Sequence, residues 1–301
     1  MANQILEDIR KKIKNGNVIT RLIIVNASVF LLISLFRILL LFLGSSNSFT
    51  HFVNEFIANL TLPLSFQGLF YKPWTLITYM FVHVELMHLF WNMITLFWFG
   101  QILMNFTDSK KIIPLYILGG LMGGIITVVL INTIPMFSVY IGLPLLGASA
   151  GVTAIIIAAA TLVPNFQMNL MFVGPVKLIY VALFVLFIDV LSVASYSNVG
   201  GNLAHLGGAL MGYVFILQLK KGKDLSKGMN RFFNWVLALF NSKPKSKLHV
   251  VHKRPISDEE YNFNRKATQQ QIDAILDKIS KSGYDSLTNS EKDILFNASK
   301  K

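Results

Sequence analysis

The chain has 301 residues, of which 53% are hydrophobic and 14% charged, with 24 Phe and no Cys. An ordinary soluble domain carries roughly 25% charged residues. The balance therefore excludes a disordered chain, a disulfide scaffold, a thiolate metal site and a cysteine nucleophile, and it argues against a one-domain soluble protein. The net charge of +12 is unevenly spread: positions 220–301 hold 17 basic and 9 acidic residues, and the preceding positions hold 10 and 6.

Segment 1–18 carries Arg10, Lys11, Lys12 and Lys14 ahead of an apolar run over 19–43. That run is too long for a signal peptide and no small-residue cleavage site ends it, so an anchored helix is expected. Arg37, near its far end, fits a side chain snorkelling to the interface. The stretch 52–71 is apolar and aromatic but broken by Pro63 and Gly68. It reads as an interfacial element with short helical pieces, and Tyr71 and Trp74 suit the membrane boundary. Further runs follow at 78–105, 112–134, 145–162, 173–193 and 204–219. Each approaches the ~20 residues that cross a bilayer, so six crossings are expected over 19–219. Gly119, Gly120, Gly123, Gly124, Gly207, Gly208 and Gly212 fall within these runs. Small residues let membrane helices approach closely.

Beyond the last run, 220–256 holds a basic amphipathic stretch (225–240) and a basic linker. Trp235 and the phenylalanines suit a leaflet surface, with Lys227 and Arg231 toward anionic lipid headgroups. Residues 257–301 form a small helical module, with a helix over 265–280 ended by Gly283. Thr288 and Glu291 have capping-box spacing and open a last helix.

Charge sets the topology. With the N-terminus inside, the inner segments 1–18, 106–111, 163–172 and 220–301 collect Arg10, Lys11, Lys12, Lys14, Lys110, Lys111, Lys220 and Lys221. The outer loops hold one lysine, Lys72, and one acid, Glu55. Basic residues concentrate on the cytoplasmic side of membrane proteins. The expected fold class is therefore an all-α membrane protein of six crossings, both termini cytoplasmic, with a small cytoplasmic helical tail. The basic excess fits this topology and implies no nucleic-acid partner.

Polar side chains within membrane runs mark functional sites by default. The second run carries His83, His88 and Asn92; the fourth opens with Ser149 in GASAGVTA; the sixth opens with His205 in GGNLAHLGG. All three runs go from outside to inside. At 1.5 Å per residue, Ser149 and His205 sit roughly 5–10 Å deep, in one layer with His83 and His88. A serine hydroxyl is a weak nucleophile until an imidazole takes its proton, and the same imidazole then protonates a leaving amine. His88 and Asn92 lie four residues apart on one helix face and, with the Ser149 N–H, can stabilise a tetrahedral oxyanion. His83 either helps there or braces the outer loop. No membrane aspartate is expected to orient His205; Asp189 lies toward the outer end of the fifth run, leaving a Ser–His dyad. His83, His88 and His205 could instead hold a metal, but HExxH and an acidic ligand in the layer are lacking. Gly147–Gly151 fits GxSxG, yet the soluble hydrolase elbow needs a preceding buried strand, whereas an apolar helix follows here.

These motifs, His83-x4-His88-x3-Asn92, Gly147-Ala148-Ser149 and Ala204-His205-x2-Gly208-x3-Gly212, resemble the rhomboid family of intramembrane serine proteases over about residues 70–215. The resemblance implies a six-helix rhomboid-like bundle in the bacterial inner membrane. Ser149 would be its nucleophile and His205 its general base and acid. His88 and Asn92 would line the oxyanion site, with His83 close by. Gly208 and Gly212 would allow the sixth helix to pack on the fourth. The implied substrates are transmembrane segments of other proteins, cleaved without a cofactor. This sequence departs from the family pattern at Thr75 after Trp74, Ala150 after Ser149, Thr153 in place of an aromatic, and Met104 near an expected glutamate. Two other readings compete. An inactive client-binding rhomboid-like protein would not need the Ser149–His205 pair. A transporter would need a polar path that the third and fifth runs do not supply. Expected partners are transmembrane protein substrates and membrane lipids; the sequence carries no signal for oligomeric state.

Overall fold

A computed structural model describes residues 17–43, 47–170, 173–240 and 258–299. The expected basic segments at 1–16 and in the 241–257 linker lie outside the described residues. The chain divides into two compact units, Met1–Asn241 and Ser242–Lys301.

The first unit is a helical membrane bundle. Its principal helices are α1 (Val18–Leu43), α2 (Leu86–Phe106), α3 (Ile112–Thr133), α4 (Ser149–Leu162), α5 (Leu178–Ala194) and α6 (Val199–Lys220). Helical spans containing α2, α3 and α6, and most of α1, are long and apolar enough to cross a membrane; α4 and α5 are shorter apolar helices. This is a multi-pass membrane protein. The brevity of α4 follows from its position. Every residue from Ala150 to Ala160 is buried, so α4 is surrounded by protein and need not match a bilayer's thickness. At 1.5 Å per residue its 14 residues span about 21 Å, less than the ~30 Å hydrocarbon core. Its first turn therefore lies within the bundle.

Small residues make that burial possible. A Cβ at Gly208 would meet the Ala150 carbonyl, and one at Gly212 the Ala154 carbonyl. One at Gly207 would lie 2.8 Å from the Gly123 Cα. Helices α3, α4 and α6 thus touch backbone to backbone, which side chains larger than hydrogen would prevent. The expected packing of Gly208 and Gly212 against the fourth helix is present.

Four helix starts differ from the sequence expectation. The run beginning at 78 is a short helix (Thr75–Thr78), a 3-10 turn (Tyr79–Phe81) and an extended break before α2 begins at Leu86. Val82 and Val84, both β-branched, suit that extended piece. The fourth run loses its first residues to a short antiparallel pair, in which β1 (Leu62–Pro63) joins β2 (Pro144–Leu145). The fifth loses its start to a hairpin of β3 (Gln167–Leu170) and β4 (Gly174–Lys177). The sixth helix begins earlier than expected, at Val199.

The connection between α1 and α2 contains the expected short pieces, Asn47–Ala58 and Phe66–Tyr71. Phe66, Phe70, Tyr71 and Trp74 are exposed, and the Trp74 indole N–H donates to the Asn59 carbonyl at 2.9 Å. Beyond α6, the amphipathic α7 (Ser226–Phe240) keeps Phe232, Trp235 and Leu237 exposed. Asn230 anchors it by donating to the Lys110 carbonyl at 3.1 Å.

The second unit contains α8 (Asp258–Ser282), which starts earlier than the expected 265, and α9 (Asn289–Ser299). Gly283, at φ 76°, follows α8. The capping box is formed: Thr288 N–H donates to Glu291 Oε2 at 2.7 Å, and Glu291 N–H to Thr288 Oγ1 at 3.4 Å.

Gly212→Val should lower unfolding stability by about 1–3 kcal/mol through overpacking. Gly228→Ala, where a Cβ meets open space, should not destabilise; denaturant titration in detergent micelles checks both. In the second unit, Lys278, then the Thr288 backbone N–H and hydroxyl, hold the Glu291 carboxyl down from 4.5 to about 2. A depressed carboxyl stabilises fully above its unfolded value and loses that contribution as pH falls toward its folded value. Glu291→Gln should therefore weaken hydrogen-exchange protection over 289–299 at pH 7, with the difference from wild type disappearing near pH 2.

Candidate active site

The site is assembled around the first turn of α4. Gly147 takes φ 118°, and its N–H donates to the Tyr79 carbonyl at 2.9 Å. The Ala148 N–H donates to His83 Nε2 at 3.3 Å. Two successive amides thus tie the strand-to-helix turn to the 79–83 segment. That segment is itself fastened to α3: the Tyr79 hydroxyl donates to the Gly120 carbonyl at 2.6 Å, and the Tyr116 hydroxyl to the Met80 carbonyl at 2.9 Å. Gly147 is also a close-approach position, because a Cβ there would stand 2.7 Å from His88 Cε1. The His88 ring packs on bare backbone and meets the His83 ring edge-on, with centroids 5.2 Å apart.

Ser149 is the first residue of α4. The first α-helical bond there runs from Val152 N–H to the Ala148 carbonyl at 3.0 Å, and the amides before it in the first turn lack intrahelical acceptors. A helix N-terminus offers such donors, with a favourable dipole, to developing negative charge. Ser149 borders a cavity of about 740 Å³ that His88, Asn92, Asp189 and His205 also line. The Asn92 side chain donates one N–H to the His88 carbonyl at 2.9 Å, and its amide carries a second. His83 is fully buried and does not line the cavity. The structure therefore brings Ser149, His205, His88 and Asn92 together and sets His83 behind the turn as a hydrogen-bond acceptor.

The expectation that no aspartate orients His205 is overturned. Asp189 Oδ1 lies 2.8 Å from His205 Nδ1. Helices α5 and α6 are joined by residues 195–198, and Asp189 lies about as far before that turn as His205 lies after it. The two reach the same depth. An acid in an otherwise apolar 17-residue helix was the sequence signal for this contact. The expected lack of acids in the layer is corrected too, because Glu85 also lines the cavity. Even so, no group of three His, Cys, Asp or Glu side chains among the described residues has metal-holding geometry.

Comparison with known proteins places this architecture. Residues 257–301 match a family of unknown function. The chain is 30% identical over 159 residues to "RHOMBOID-like protein 12, mitochondrial" of Arabidopsis thaliana, a match covering 50% of this chain and 47% of that protein. The chain thus spans about half the length of that relative. The family model for the rhomboid domain matches residues 71–221, half of the chain and the part that carries α2 to α6 with the whole cavity; the chain belongs to the rhomboid family.

Proposed function

We propose that the protein is an intramembrane serine endopeptidase that cleaves transmembrane segments of other membrane proteins. The observation that carries this reading is the cavity shared by Ser149, at the start of a buried helix, with His205, His88 and Asn92. In the reaction, Ser149 Oγ attacks the scissile carbonyl carbon while its proton passes to Nε2 of His205. The carbonyl electron pair moves to oxygen, and the oxyanion meets the Ser149 N–H, His88 and Asn92. Collapse re-forms the carbonyl, breaks the C–N bond, and sends the imidazolium proton to the departing amine. Water then attacks the acyl ester, giving a proton to His205, which returns it to Ser149 as the new carboxyl group leaves.

A substrate helix would enter sideways between α2 and α5. Trp91 and Thr95 of α2 and Phe184, Val185 and Ile188 of α5 border the cavity, which supports that route. A helical peptide bond must unwind before attack, so Gly or Pro near the cleavage point would ease the step. The charge distribution supports cytoplasmic termini, with the cavity near the opposite face, in a bacterial inner membrane. Membrane lipids complete the surroundings, in contact with the exposed apolar face of α5.

Cleavage of a model transmembrane substrate in proteoliposomes tests the reading. Ser149→Ala and His205→Ala should each abolish turnover to within the assay background; full activity in both would overturn it. Replacing His88 or Asn92 by Ala should lower kcat by about 10²–10³-fold, the usual cost of one oxyanion donor, as measured by initial rates at saturating substrate.

A further inference from the structure

We propose that Asp189 is the positioning residue of the catalytic imidazole, so that the centre works as a Ser149–His205–Asp189 triad. This rests on the hydrolase reading above and deepens it. Asp189 is 5% exposed and sits among Leu, Val, Ile and Phe on α5, where an ionised carboxylate is expensive to keep. Among the described residues its side chain meets His205 Nδ1 at 2.8 Å, and Oδ2 is buried without a hydrogen-bond partner. No lysine or arginine among the described residues lines the cavity. The carboxylate is thus held where its available counter-charge is the one that His205 develops on taking the serine proton.

An ionised carboxylate only accepts hydrogen bonds. With Asp189 ionised, the Asp189–His205 contact places the imidazole proton on Nδ1 and leaves the Nε2 lone pair free, the tautomer a general base needs. The same bond fixes the ring's rotation and stabilises the imidazolium. The charged and polar groups that line the cavity with His205 include, from α5, Asp189; from α2 and the segment before it, His88, Asn92 and Glu85; from α4, Ser149; and, just before its own helix, Asn198. Asp189 is the one of these with a hydrogen bond to the ring among the described residues.

The test uses the full chain in proteoliposomes. Asp189→Asn, which keeps the side-chain size, should lower kcat by roughly 10²–10⁴-fold, as expected for a triad aspartate, with KM within about twofold. In [15N]histidine spectra, wild-type His205 should show the neutral Nδ1–H tautomer, and Asp189→Ala should shift it to Nε2–H. Unchanged kcat and an unchanged tautomer would remove Asp189 from the mechanism. So would a kcat loss with the Nδ1–H signature intact in Asp189→Ala, which marks a merely structural role. If Ser149→Ala and His205→Ala are inert in either case, the hydrolase reading stands while this assignment falls. If those two variants retain activity, it is the hydrolase reading that fails.

Discussion

The architecture depends on backbone contact between α3, α4 and α6. Gly208 and Gly212 lie against the carbonyls of Ala150 and Ala154, and Gly207 lies against Gly123. Without a hydrophobic driving force between helices in lipid, such close packing is a main source of association. Its consequence is that a short helix can be held inside the bundle, with its first residue, Ser149, bordering a cavity. The catalytic proposal begins with that burial, because it puts a serine and a helix N-terminus at one point below the surface.

The remaining parts hold this turn in place. Tyr79 and His83 accept the amides of Gly147 and Ala148, and the tyrosines Tyr79 and Tyr116 lock the accepting segment to α3. His83 thereby shapes the site without entering it. The absence of a side chain at Gly147 lets His88 lie against the turn, beside the place where an oxyanion would form. Side chains from four helices converge on this cavity, and the α4 turn among them is tied by hydrogen bonds to the 79–83 segment, which is itself anchored on α3. The rigid parts surround Ser149, while α5 contributes an exposed apolar face and one buried acid.

Much of this was legible in the sequence. The six apolar runs, the glycines and the common layer of Ser149, His205, His88 and His83 were read from spacing alone, although His83 proves to stand behind the turn and outside the cavity. Hydropathy does not separate an apolar strand or extended break from a helix, so residues 82–85, 145–148 and 174–177 were absorbed into helical runs. The consequential error lay between the fifth and sixth helices. A run ending at 193 and restarting at 204 leaves a long loop between Asp189 and His205. The actual connection is residues 195–198, because Val199–Leu203 are already helical and buried apart from half-buried Gly200. With only 195–198 between the helices, Asp189 and His205 stand at matching distances from one tight turn and meet, a contact that a long loop hid.

The central claim is that Ser149 is a nucleophile because His205 activates it. Mass-spectrometric mapping of the reconstituted protein after reaction with a fluorophosphonate measures this directly. The account predicts one adduct, on Ser149, that disappears in His205→Ala. A protein that stays unmodified, or an adduct on Ser149 that forms equally fast without His205, would contradict it.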